Sequence, residues 1–110
     1  MNSDTLDVIL FPQFNGEEMV WVAQCVTLDF TAQGKTIDHA QSNFTKTIMT
    51  HVALSLRDKQ KPFENVPNAP SWFRRQFDSA TRESSKELPL PEREIPRRMV
   101  FKHAPSTAVT

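Results

Sequence analysis

Few residues in this chain are able to do chemistry, and their spacing works against them. There are three histidines, His39, His51 and His103. His39 and His51 fall on one predicted helix, about 18 Å apart along its axis. They cannot share a metal ion, and His103 lies far along the chain. Zinc sites need tighter Cys/His spacing than this. The single cysteine, Cys25, sits in an apolar run with neither a base nor a helix N-terminus beside it to activate its thiol, so it reads as a small packed residue. Asp7 and Asp29 fall on neighbouring strand segments, which invites a metal-assisted nuclease reading. Such sites need several carboxylates converging on Mg²⁺, and no third acid is placed to join these two. Only Gly16 and Gly34 are present, which excludes a glycine-rich phosphate loop or a dinucleotide fingerprint. The chain is therefore expected to bind rather than catalyse, with no metal and no cofactor.

Residues suited to binding are easier to find. Trp72, Phe73, Arg74, Arg75 and Phe77 interleave bases with aromatics, a pattern that can grip single-stranded nucleic acid by stacking and charge. The same residues also read as a short helix with a buried aromatic face and arginines outside. Arg97 and Arg98 extend the basic set. The formal net charge is zero, which weighs against nucleic acid as the main partner. The charges are unevenly spread. Residues 1–34 carry five acids and no Lys or Arg, residues 35–61 five bases and two acids, and residues 62–110 eight bases and six acids. An acid-only third repels nucleic acid and attracts a basic partner, or it forms a solvated edge. Trp21, Asp29, Trp72, Arg74, Arg75, Arg97 and Arg98 are the residues expected to contact a partner.

The elements that must position these residues read as α+β. Leu6–Phe11 is β-branched and apolar, hence a strand. Pro12 follows, and because proline cannot donate to a ladder it places this strand at a sheet edge or a bulge. Asn15-Gly16 between strand-like runs predicts a tight hairpin turn. Met19–Val26 and Leu28–Gln33 complete a three-stranded antiparallel meander. Thr36 then caps a helix, with Asp38 in its first turn where negative charge is favoured. Ile37, Ala40, Phe44, Ile48, Val52 and Leu56 recur at spacings of three and four on one face, widened by Met49 and Leu54. Pro62 ends that helix. Prolines 62–70 mark a loop, and residues 71–77 a short second helix. Residues 82–96 are charged and Pro-rich and should be extended or loose. Arg98–Lys102 is either a last strand or an arm that folds on contact, and residues 104–110 form a frayed tail.

Both faces of the predicted sheet are apolar, although a sheet with one wet face should alternate. One long helix covers one face. The other needs the second helix and the last strand, a second subunit making a homodimer, or a protein partner.

Composition sets the remaining bounds. A chain of 110 residues is one domain, and it hides roughly 65% of its unfolded surface on folding. An apolar fraction of 38% is low, which points to an unpacked C-terminal end. A lone cysteine fits a reducing compartment. The N-terminal residues lack a basic, then apolar, leader pattern, and no run reaches the ~18 apolar residues of a membrane span. A soluble cytoplasmic protein is expected.

Taken together, Trp21-Val22-Ala23-Gln24-Cys25, Ala32-Gln33-Gly34-Lys35-Thr36, Ala40 and Asn43-Phe44 resemble HicB-like antitoxin domains. His51–Leu56, Pro62, Pro67-Asn68-Ala69-Pro70 and Trp72-Phe73 resemble a compact subgroup of that family. The resemblance spans about residues 6–77. It implies a partial RNase H-like fold of three strands, a helix and often one more strand. It also implies a domain that occludes a small basic RNA-cleaving toxin. The carboxylate set of RNase H is absent or degenerate, in keeping with the search above. One departure is plain. Antitoxins of this family usually carry a C-terminal DNA-binding domain, whereas the residues after Phe77 are too short and Pro-rich for a helix-turn-helix. The expected organisation is a HicB-like domain over residues 1–81 and a charged extension over 82–110.

Overall fold

The computed structural model describes residues 5–80, 82–90 and 96–104, with only the backbone of residue 82. Of the predicted tail at 104–110, Ala104 is buried rather than frayed, while 105–110 and the centre of the loose segment, 91–95, lie outside the described residues. The elements are β1 (Thr5–Asn15), β2 (Glu18–Cys25), β3 (Thr31–Gly34), α1 (Ile37–Arg57), α2 (Ser71–Ser79), β4 (Arg82–Glu87) and β5 (Arg98–His103). The fold is α+β, as the residue pattern predicts, but the sheet is larger than a meander. Five strands lie in the order β3-β2-β1-β5-β4. β1 and β5 run parallel, and the other neighbours are antiparallel.

Position in the sheet corrects the reading of Pro12. β1 is the central strand, not an edge. The β1–β5 register runs from Thr5↔Arg98 to Leu10↔His103, and Ala104 N–H donates to Leu10 O at 2.9 Å. The next donor on that side of β1 would be the N–H of residue 12, which proline lacks. Pro12 therefore marks where β5 leaves β1, while β1 itself continues to Asn15 against β2.

Of the two readings of Arg98–Lys102 the last strand holds, as β5, whereas the stretch from 82, expected to be loose, is packed as well. Met99 and Phe101 are fully buried in the same core as Leu10, Phe44 and Ile48, with Leu88 and Leu90 beside them. The charged stretch after residue 82 forms β4, whose Ser84 accepts from buried Gln41 of α1 at 3.3 Å. A polar strand of this kind pairs because its neighbour β5 supplies the ladder, not because its own residues favour a strand.

α1 is capped as predicted. Thr36 Oγ1 accepts from His39 N–H at 3.0 Å, and Asp38 lies in the first turn. Its buried face is Ala40, Gln41, Phe44, Ile48, Val52 and Ser55. Leu56, Leu54 and Met49, all expected on that face, are exposed. After Ile48 and Val52 the 3.6-residue period brings Ser55 under, about 100° from Leu56. Ser55 satisfies its hydroxyl by donating to His51 O at 2.8 Å.

The second sheet face is covered within the chain. α2 lays Phe73, Phe77 and Ala80 against Ile9, Phe11, Val26 and Val100. The apolarity that called for a second subunit on this face is met by α2.

The β3–α1 junction requires a glycine at residue 34. A Cβ built there would fall 2.6 Å from the His39 carbonyl carbon and 2.9 Å from Ala40 Cα. These are backbone atoms of the first turn and cannot move aside cheaply. Asn43 Nδ2 donates to Gln33 O at 2.7 Å and clips helix to strand at the same place. Gly34→Ala is expected to cost about 1–3 kcal/mol, read as a lower urea midpoint. An unchanged midpoint would show that the helix start can shift without cost.

Candidate protein-binding surface

Among the described residues the exposed large apolar side chains fall in two places: Met49, Leu54 and Leu56 on α1, and Phe14 and Met19 on the β1–β2 hairpin with Trp72 of α2. β1 and β2 run on together beyond the reach of their neighbours. β5 stops pairing at Leu10, and β3 reaches only to Trp21. From Gln13 to Val20 the hairpin is a two-stranded arm, paired only with itself through Gln13↔Val20, Phe14↔Met19 and Asn15↔Glu18. Its tip is a two-residue turn with Gly16 at φ 67° in the first central position. A type II′ hairpin turn requires a glycine there.

Phe14 and Met19 face each other across the arm. Phe14 is 71% exposed and Met19 38%. Phe11, Pro12, Gln13 and Phe14 line an open groove with Trp72 of α2. Phe11 anchors that groove, its ring 6.0 Å from Phe73 and 6.5 Å from Trp72. The arm carries Glu17 and Glu18, both exposed, and no Lys or Arg. An exposed aromatic and an exposed methionine on a projecting ribbon, flanked by like charge, have the character of a contact surface.

The seven residues expected to meet a partner do not form one patch. Trp21 is half-buried on the α1 side of the sheet, packed on the main core with its ring 6.4 Å from that of His103. Trp72 stands on the opposite side. Asp29 is exposed in the β2–β3 connection rather than on a strand, and Gln24 Nε2 donates to it at 3.2 Å. Arg74 is tied to Asp7 at 3.1 Å and to Asp78 at 3.6 Å, and its guanidinium lies 5.5 Å from the Phe77 ring. Arg75 is exposed and donates to Ser71 Oγ of its own helix at 3.4 Å. Arg97 donates to Leu90 O at 3.3 Å, while Arg98 meets Glu87 and Ser85. Of the seven, Trp72 alone lines the arm's groove. Phe11, Phe14 and Met19 went unassigned in the sequence. The predicted Asn15-Gly16 turn is off by one residue: the turn residues are Gly16 and Glu17, and it is this shift that sets Phe14 opposite Met19 rather than Glu17.

The chemistry-bearing residues stay apart. Among the described residues no group of three His, Cys, Asp or Glu side chains could hold a metal ion. Cys25 is buried. Asp7 is held by Arg74 on the α2 side and Asp29 by Gln24. No helix among the described residues is long and apolar enough to cross a membrane. No family model, curated protein or solved structure matches the chain.

His51 has a structural task. Its Nε2 accepts the Phe63 N–H at 2.9 Å. The ring lies 5.0 Å from Phe30 and 5.1 Å from Phe63. Phe63 is held at φ 73°, a conformation bulky side chains adopt only when their surroundings enforce it. Accepting a hydrogen bond at Nε2 requires neutral imidazole, and burial lowers the His51 pKa from 6.5. The unfolded chain thus takes up this proton at higher pH than the folded one. Stability from this group is complete above pH 6.5 and falls as pH drops toward the lowered folded value. Urea midpoints between pH 7.5 and 5.5 are expected to decline in the native chain and to stay flatter in His51→Gln. Parallel slopes would remove His51 from the account.

Proposed function

We propose that this chain is a protein-binding module that acts by occlusion, docking through the β1–β2 arm onto a small basic protein. The observation that carries the reading is the arm itself: an exposed Phe14–Met19 pair and an aromatic groove on a ribbon whose only charges are acidic. Apolar contact supplies affinity in such interfaces, while complementary charge steers encounter and selects the partner. The finer reading is a HicB-type antitoxin occluding an RNA-cleaving toxin. It rests on the resemblance of residues 6–77, and the order of three strands, a long helix and a further strand is compatible with it. The engagement of Arg74 and Arg98 with acidic side chains makes a nucleic-acid grip the weaker reading.

The test is to recover the partner from the native cell and assay it. A small basic protein whose RNA cleavage stops on adding one equivalent of this chain is the expected result. A partner that binds but cleaves no RNA would keep the module and discard the antitoxin role.

A further inference from the structure

We propose that the arm takes its partner as an added strand: an extended basic segment pairs with the outer edge of β1 at Pro12–Asn15 and sets its apolar side chains in the groove beside Trp72. This rests on the protein-binding reading above and adds the mode of docking and the chemistry of the segment.

Hydrogen-bond parity identifies the edge. Leu10 O accepts from Ala104, the residue after β5, whereas Asp7 O accepts from Val26, the residue after β2. Residues of an antiparallel strand alternate in the side to which they direct N–H and C=O. Even-numbered residues of β1 therefore point away from β2. Beyond Leu10 these are Pro12 and Phe14, which offer two carbonyls and the Phe14 N–H. Among the described residues no backbone bond from outside the hairpin reaches them. The lane is open because Pro12 cannot continue the β5 ladder.

The other edges of the sheet suit a partner less well. β4 sets Glu83 and Glu87 on one face and Lys86 on the other. A second β4 in antiparallel register would bring like charges face to face, which is how natural sheets blunt an edge. β3 has only four residues. The β1 edge of the arm is uncharged from Phe11 to Asn15 and flanked by an apolar groove. Three backbone groups make a short ladder, so the groove must anchor the segment and the ladder must align it. Glu17 and Glu18 at the tip select lysine or arginine on that segment.

The probe is a synthetic decapeptide alternating lysine and valine, with amide exchange of the full chain followed by NMR. Exchange of the Phe14 amide is expected to slow at least tenfold, roughly the effect of one net hydrogen bond. Phe14→Pro removes the donor at an edge position where proline is tolerated, and should weaken the peptide about tenfold. Phe14→Val keeps the N–H and should retain Phe14-type protection at residue 14. A peptide alternating glutamate and valine should not bind. A Phe14 amide already protected in the free chain overturns the proposal, because the edge would be occupied. Protection that rises with chain concentration names a second copy as that occupant. Peptide binding that leaves residue 14 unprotected also overturns the edge mode, while leaving the protein-binding reading intact.

Discussion

Phe101→Ala is expected to lower stability by about 3–5 kcal/mol, the range for truncating a buried aromatic. Phe101 is fully buried, and its ring meets that of Phe44 edge-to-face at 6.2 Å. β5 lies between β1 and β4, so a cavity at Phe101 weakens the ladder on both sides and the seat of α1. A small domain has about 5–15 kcal/mol in all, so the variant should be marginal at 37 °C. Urea unfolding followed by circular dichroism reads this directly. A loss under about 1 kcal/mol, typical of a surface change, would mean that residues 98–103 are an appendage to the core and not part of it.

The second large effect is on binding and should leave the fold alone. Phe14→Ser with Met19→Ser removes both exposed apolar side chains of the arm while keeping its backbone ladder. Both are exposed, Phe14 at 71% and Met19 at 38%, so the melt should shift by no more than about 0.5 kcal/mol equivalent. Affinity for the recovered basic partner should fall at least ~30-fold, about 2 kcal/mol, the scale of a central contact residue. A titration of both chains against the same partner gives this number. Glu17→Gln with Glu18→Gln should act differently, slowing association and flattening its salt dependence more than it speeds dissociation. Equal affinity of the serine variant would place the contact elsewhere on the molecule.

The two kinds of change separate because local and distant information are read differently in this chain. Thr36, Asp38 and the apolar period of α1 are local signals, and the helix forms where they place it. The hairpin turn is equally local, although it falls on Gly16 and Glu17, one residue beyond the predicted Asn15-Gly16, and the register follows that position. β4 could not be read in the same way. Its residues are charged or small, and it is a strand only because β5 lies beside it. The parallel β1–β5 pairing joins residues more than ninety positions apart, and no local pattern encodes it. Pro12 predicts an edge strand or a bulge, although its effect is on one side of β1 only. Seeing that needed the identity of the strand on that side. A count of fours puts Leu56 on the core face, but the helix turns a little further and brings Ser55 in.

The candidate surface was legible in part. Aromatic and basic residues drew attention to α2, and Trp72 does line the groove. Arg74 and Arg98 looked available because their acidic neighbours, Asp7 and Glu87, lie far from them in the chain or in a strand that could not be foreseen. Phe14 sits beside a turn, where a single exposed aromatic has no periodicity to reveal it. Its meaning comes from how far β5 and β3 extend, which is a property of the whole sheet.

The central claim is that this chain works by gripping a small basic protein through the arm. Light scattering on the complex captured from the native lysate, with the eluate identified, tests it most directly. One small basic protein in fixed ratio with the chain is expected, lost from the eluate when Phe14 and Met19 are both serine. A chain that elutes as a clean homodimer with no stoichiometric partner, or a partner held equally by the serine variant, would contradict it.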